Sequence, residues 1–544
     1  MTIHRLILAA AFAFAASASY ADSSVTVDAP AGPLKGQAQD ALNVFKGVPY
    51  AQPPVGKLRW KPPQPMQRWS NAKDASDFGP ACIQPSGAMA GVYSHDPIAM
   101  SEDCLTLNIW APKDARNAPV FFWIYGGAFW GGASSDPIYD GSQLARRGVV
   151  VVTINYRVGV LGWLAHPQLD AESPLHISGN YGLLDQIAAL KWVKQNIAAF
   201  GGDPSNVTIA GESAGGLSVV YLMASPPARG LFSKAIAQSA YMISMPELRQ
   251  RKFGLPAADE SGVQLSAAVH ATNIAMLRAI SAESLNQVAA AIHFAPLGVV
   301  DGHVLTGQLV DVFDKGEQAH VPVLAGFNSG EVRSLRILVP QTPARAADYE
   351  KTIRANYGDL ADAFLKLYPA TDMPESILAT TRDALYGWTA QRLVRNQTAI
   401  GAPSYLYFFD HGYPAADEAG LHGFHASELP FVFGTFDATP PHWPKVPDSE
   451  SERKLSDAMI DYWTSFAKNG TPVAKDAPAW APFGSDRSYM ALGDAPHPSQ
   501  DLLPGMYKLD EEVVCRRHAS GGVPWNWNAG LLSPPLPPQT PLCE

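Results

Sequence analysis

The 544-residue sequence predicts an α/β fold: a mostly parallel, doubly wound central sheet covered by helices on both faces, with long inserted loops. Three observations carry that prediction. First, residues 119–125 and 148–157 form apolar runs of strand length with no polar face, as strands buried on both sides do. Second, residues 180–198 carry apolar side chains at helical spacing and stop at Gly201-Gly202, so strands alternate with a crossover helix. Third, Val207-Thr-Ile-Ala runs into Gly211-Glu212-Ser213-Ala214-Gly215-Gly216 and leaves through Leu217-Ser-Val-Val-Tyr-Leu-Met-Ala, the strand, sharp turn and helix expected around a G-x-S-x-G motif.

The glycines of that motif have a steric task. A serine at the tip of so tight a turn has unfavourable backbone angles, and its neighbours have no space for Cβ atoms. Ser213 is thereby the candidate nucleophile. A serine hydroxyl is weak at neutral pH, so it requires a histidine with an acidic partner and donors for a developing oxyanion. Tyr125-Gly126-Gly127-Ala128-Phe129-Trp130-Gly131-Gly132 follows the strand at Val120 and supplies a loop with little side-chain bulk. The amides of Gly127 and Ala128, with that of Ala214, are the candidate oxyanion hole.

Taken in order, the chain opens with His4 and Arg5, an apolar run over residues 6–16 and small residues ending Ser19-Tyr20-Ala21, the three parts of an export signal. Cleavage is expected after Ala21, with Ala18 the second choice, leaving residues 22–544 as one large domain in the periplasm or outside the cell. No later stretch has the length and apolarity of a transmembrane helix. A net charge of −10 without any basic run argues against nucleic acid or an anionic membrane as main partner, and favours a small-molecule substrate. The four cysteines suit an oxidising compartment, and their placement as one pair near each end favours Cys82–Cys104 and Cys515–Cys543. Alternating residues from Ser24 and from Asn43 predict antiparallel strands before the main sheet. A polar loop lies between Cys82 and Cys104. Residues 451–468 form an amphipathic helix ending at Asn469-Gly470, and the proline-rich tail is extended. No metal-ligand spacing stands out, so neither metal nor cofactor is expected.

The base is expected after the last strand, which Ser404-Tyr-Leu-Tyr-Phe-Phe-Asp410 resembles. His411, His422, His425 and His442 all follow it, and the residues alone do not choose among them.

Five ordered motifs narrow the field: Glu102-Asp-Cys-Leu-Thr-Leu-Asn108, Tyr125-Gly-Gly-Ala-Phe129, Asn180-Tyr-Gly-Leu-Leu-Asp-Gln186, Phe200-Gly-Gly-Asp-Pro204 and Gly211-Glu-Ser-Ala-Gly-Gly216. With them the chain resembles the type-B carboxylesterase/cholinesterase family of α/β-hydrolases over almost its whole length. The resemblance implies a serine esterase working through an acyl-enzyme. It selects His425, in His425-Ala-Ser-Glu428-Leu-Pro-Phe-Val-Phe-Gly434, over His422, and it names Glu331 after Val321-Pro-Val-Leu-Ala-Gly-Phe-Asn328 as the acid. It also implies supporting roles for Ser239, by hydrogen bonding to the triad, and for Glu212, in positioning water. Two departures bear on substrate. Tyr93 is the sole aromatic between Cys82 and Cys104, where cholinesterases carry a cation-binding Trp, so choline esters are not expected. Arg333 and Arg336 follow Glu331 and could meet an anionic group, as in relatives that remove polycarboxylic acyl groups from toxins. A catalytically silent binding protein on the same fold is the alternative from another class.

Overall fold

The structure is a computed structural model that describes residues 23–85, 87, 91–94, 98–526 and 529–543. The export signal assigned to residues 1–21 lies outside the described residues. The main sheet has 13 strands. At one edge Ser23–Ala29, Gly32–Gln39, Leu42–Pro49 and Thr106–Pro112 form an antiparallel meander. Thr106–Pro112 pairs antiparallel with Val150–Ile154, where the parallel block begins. Its spatial order is Val150–Ile154, Ala118–Ile124, Gly202–Glu212, Lys234–Gln238, Val323–Asn328, Ser404–Phe409, Ser488–Leu492. Pro496–Gln500 turns back antiparallel and closes the far edge.

The apolar runs are buried on both faces. Phe121 and Trp123 point to one side and pack edge-on against Phe433, while Phe122 and Ile124 on the other side are equally inaccessible. The helix expected before Gly201 spans Tyr181–Asn196, and its Asp185 carboxylate is clasped by the Arg157 guanidinium and amide. The late amphipathic helix spans Glu450–Asn469. Ser449 caps it by accepting from the Glu452 amide, and Gly470 ends it in a left-handed conformation. Cys82–Cys104 and Cys515–Cys543 are disulfide-bonded. The second ties the tail to the helix Met506–Ser520.

One expectation needs correcting. Ser404–Phe409 is not the last strand, because Ser488–Leu492 follows it in the sheet. That strand is five residues long and only three of them pair with Tyr407–Phe409, so its sequence carries no extended apolar run to announce it.

The serine turn is fixed by backbone contact. A Cβ on Gly211 would stand 2.5 Å from the Gly215 backbone, one on Gly216 would stand 2.6 Å from the Gln238 carbonyl oxygen, and one on Gly215 would collide with the Ile124 carbonyl. We expect Gly215→Ala to destabilise the protein by about 3 kcal/mol or more through overpacking that no side-chain rotation relieves. Gly522→Ala, where a Cβ meets nothing within 4 Å, should stay within about 0.5 kcal/mol. Thermal or denaturant unfolding of the two variants checks this, and equal melting would refute the close-packing account.

Candidate active site

Ser213 stands between the strand Gly202–Glu212 and the helix Ala214–Ala224, with φ 56° and ψ −122°. Its amide donates to the Gln238 carbonyl at 3.0 Å, and its carbonyl accepts from Leu217 at 2.8 Å. The positive φ is a strained geometry for a residue with a Cβ, and the packed strands on either side hold it. The hydroxyl is left at the tip, partly exposed.

The glycine-rich loop comes up against this turn. Gly126 is so close that a Cβ there would lie 2.9 Å from the Glu212 carbonyl and 3.1 Å from the Ser213 Cβ. Gly127, Ala128 and Phe129 all have positive φ, which turns successive amides to one side. Among the described residues the Gly127 and Ala128 amides donate to no backbone acceptor, and Ala214 at the first position of its helix has no intrahelical acceptor. Phe129 is fully buried against Trp163 and Tyr221. Gln84 grips Gly132 from outside through both its amide and its carbonyl. The loop is thus held from both ends.

Glu331 follows the strand Val323–Asn328, and His425 lies on the loop after Ser404–Phe409. The structure brings them together: His425 Nδ1 meets Glu331 Oε2, while Glu331 Oε1 accepts from the Asn328 amide at 2.8 Å. The other ring nitrogen, Nε2, is 3.1 Å from Glu212 Oε1, close in distance but outside hydrogen-bond geometry. No hydrogen bond joins Ser213 Oγ to His425 in this conformation, although Glu212 is the serine's chain neighbour. Catalytic hydrogen bonds of this kind commonly tighten only around substrate.

Three buried carboxyl groups surround this one imidazole: Glu212, Glu331 and Glu428. Burial pulls the His425 pKa down, but Glu212 and Glu331 more than offset it, and the imidazole ends above its ordinary range. Burial pushes the Glu212 carboxyl up, with His425 opposing and the other two carboxyls adding to the rise. Glu428 is likewise raised by burial, against hydrogen bonds from Asn328 and Gln238. Protons around His425 therefore belong to a coupled group rather than to single residues.

Glu428 was not singled out by sequence reasoning, although it lies three residues after the chosen histidine in the stretch used to choose it. It accepts from Gln238 Nε2 at 2.9 Å and Asn328 Nδ2 at 2.6 Å, and Gln238 in turn accepts from the Trp463 indole at 2.8 Å. Ser239, to which the resemblance gave a hydrogen-bonded supporting role, is buried with its Oγ unpartnered. The polar link behind the site runs through Gln238 and Glu428 instead.

The other histidines are occupied elsewhere. His411 bonds Glu452 at 2.7 Å and Asp494 at 3.2 Å, His422 lies between Asp410 and Asp417, and His442 is exposed. Arg333 pairs with Glu375 at 2.6 Å, whereas Arg336 is exposed and has no carboxylate partner among the described residues. A cavity of about 160 Å³ lined by Leu338, Leu385, Asp510 and Arg517 contains none of the candidate catalytic residues. No helix among the described residues is long and apolar enough to cross a membrane, and none of their His, Cys, Asp and Glu side chains form a group of three that could hold a metal.

Comparison with known proteins gives this geometry its class. The sequence model of the carboxylesterase family matches residues 23–506. The chain belongs to the carboxylesterase family. Its members' fold, the α/β-hydrolase fold, is shared by a solved PNB esterase structure at TM-score 0.78 and 33% identity, over 89% of this chain and 99% of that one. A fumonisin B1 esterase of Sphingopyxis macrogoltabida is 37% identical over 476 residues, 85% of either chain. A para-nitrobenzyl esterase of Bacillus subtilis is 36% identical over 81% of this chain and 89% of its own. This carboxylesterase is accordingly a carboxylic ester hydrolase.

His422 offers a test that separates a structural histidine from a working one. Hydrogen bonds donated to the Asp410 and Asp417 carboxylates outweigh partial burial and raise its pKa from 6.5 to about 9. A raised imidazole contributes stability that is complete below the unfolded value and is lost as pH rises through about 9. His422→Gln should therefore lower the melting temperature at pH 6 and leave it little changed at pH 10, with esterase activity retained. Melting curves at the two pH values check the sign; loss of activity at unchanged stability would contradict the assignment.

Proposed function

We propose that this esterase hydrolyses its substrate through Ser213, His425 and Glu331, by way of an acyl-enzyme. The observation that carries the proposal is the orientation of one imidazole: Nδ1 is on Glu331, and Nε2 faces the residue preceding Ser213. On this scheme Ser213 Oγ attacks the ester carbonyl carbon as His425 Nε2 takes its proton. The oxyanion is held by the Gly127, Ala128 and Ala214 amides. The carbonyl re-forms, the C–O bond to the alcohol breaks, and the imidazolium protonates the departing oxygen. Water then attacks the acyl-enzyme, giving its proton to His425 and, on collapse, returning Ser213 and a free acid. Glu331 holds the tautomer and offsets the imidazolium charge, while Glu212 is placed to orient that water. The apolar run over residues 6–16 and the small residues ending at Ala21 support reading residues 1–21 as an export signal, with the chain from residue 22 acting as one domain in the periplasm or beyond.

Ser213→Ala should abolish turnover of p-nitrophenyl acetate with the fold intact. His425→Ala should lose several orders of magnitude, about 10³-fold or more, while His422→Ala and His411→Ala keep most activity. Steady-state rates and stoichiometric titration with an organophosphate measure both. Absence of labelling would favour a silent binding protein.

A second reading concerns substrate. Esters whose acyl part carries carboxylates are supported by the unpaired Arg336, five residues from Glu331, and by kinship to a protein named fumonisin B1 esterase. Arg333 is less suited, being already paired with Glu375. Arg336→Gln should lower kcat/KM for a carboxylate-bearing ester about tenfold to a hundredfold and spare a neutral ester. Arg333→Gln should do much less. Equal losses on charged and neutral esters would rule out charge recognition.

A further inference from the structure

The loop that carries His425 is fastened through three successive carbonyl groups. The Gly423 carbonyl accepts from the Gly330 amide at 2.7 Å. The Phe424 carbonyl accepts from Asn328 Nδ2 at 2.8 Å. Both donors belong to the segment leading into Glu331, so the segments that carry acid and base are stitched directly to each other. The third carbonyl, that of His425 itself, has a donor from elsewhere: the Tyr93 hydroxyl, at 2.8 Å. Tyr93 lies within the loop closed by Cys82–Cys104.

The same hydroxyl is 2.7 Å from Ser334 Oγ. A phenol has one hydrogen, and a carbonyl only accepts, so that hydrogen is committed to His425 and Ser334 must be the donor to Tyr93. The chain of bonds runs Ser334 O–H to Tyr93 O–H to the His425 carbonyl. It joins the segment after the acid, the disulfide loop and the base. Burial keeps the phenol protonated well above its ordinary range, so the donor persists at any working pH. The Tyr93 ring packs edge-on to the imidazole at 6.4 Å and to Trp443 at 5.8 Å, which fixes the direction of the hydroxyl. Ala426, the next residue, has a φ of 67°. A non-glycine residue in that conformation is held there by its surroundings, and the carbonyl bond before it is one of the restraints.

We propose that Tyr93 is a positioning residue for the catalytic imidazole: the Cys82–Cys104 loop holds His425 in register with Ser213 through the Tyr93 hydroxyl, with Ser334 as its support. The proposal rests on the roles given above to Ser213 and His425. The hydroxyl reaches the backbone of the base rather than the ester, so its loss acts on the rate of the chemical step and not on binding. A displacement of about 1 Å in a catalytic group costs up to about a hundredfold in rate.

The test is Tyr93→Phe, which keeps the ring packing and removes only the hydroxyl. Its kcat on p-nitrophenyl acetate should fall about tenfold to a hundredfold at unchanged KM, with far-UV circular dichroism retained. The imidazole faces Glu212, Glu331 and Glu428, and Tyr386 at 5.3 Å between ring centres. Loosened from the carboxylates that raise its pKa, it should shift the acid limb of the kcat/KM profile to lower pH, which a purely structural role would leave in place. Ser334→Ala should show a smaller loss, and none when added to Tyr93→Phe, since both act through one bond. Replacing Cys82 and Cys104 together by Ser should reproduce the kcat loss of Tyr93→Phe. Titration with an organophosphate separates the failures. Wild type that is not labelled refutes the Ser213 assignment. Wild type that is labelled, beside Tyr93→Phe phosphorylated at the same rate and turning over with the same kcat, overturns the positioning role. A loss confined to KM also overturns it, and makes Tyr93 a substrate contact.

Discussion

The backbone packs tightly against itself at the serine turn. Ile124, Gly126, Gly211, Gly215, Gly216 and Gln238 meet with no space for a Cβ at any of the glycines. This contact lies at the ends of the strands Ala118–Ile124 and Gly202–Glu212, which pair in register from Val120–Val207 to Ile124–Gly211. It also sets the approach of the glycine-rich loop, because that loop begins where the first strand ends. The strain in Ser213 follows from the same constraint. The backbone conformation that exposes the hydroxyl is held by packing on two neighbouring strands, and a well-packed core does not let one element relax alone.

A second constraint is electrostatic. Three carboxyl groups are buried around one imidazole, and an ionised carboxylate out of water is costly unless donors replace its hydration. Each has a different provision. Glu331 receives the Asn328 amide and His425, Glu428 receives Asn328 and Gln238, and Glu212 Oε1 has only the nearby imidazole. Asn328 serves two of them at once, Glu331 through its backbone amide and Glu428 through its side chain, and that side chain also holds the Phe424 carbonyl, so one residue orders both the surroundings of Glu331 and the loop of His425. Elsewhere two acidic residues of the family motifs form structural ion pairs, Glu102 with Arg59 and Asp185 with Arg157.

The sequence by itself determined the fold class, the strand–turn–helix setting of Ser213 and the glycine-rich loop facing it. Those are local matters: an apolar run buried on both faces and a glycine demanded by a turn both leave their mark within a few residues. Naming His425 as the candidate base among four histidines already needed a resemblance, because nothing local distinguishes a candidate base from a loop histidine. Only the tertiary structure decided the rest. It placed His411 between Glu452 and Asp494, 41 and 83 positions away, brought Glu428 and Gln238 behind the site in place of a bond from Ser239, and added the strand Ser488–Leu492, which is too short to carry an extended apolar run. It gave Tyr93, legible beforehand only as the aromatic that is not a tryptophan, a hydrogen bond to a residue 332 positions away. The physical reason is common to all of these. Hydrogen bonds to backbone carbonyls and the solvation of a buried carboxyl depend on which segments the fold brings within 3 Å, and no periodicity in the chain encodes that distance.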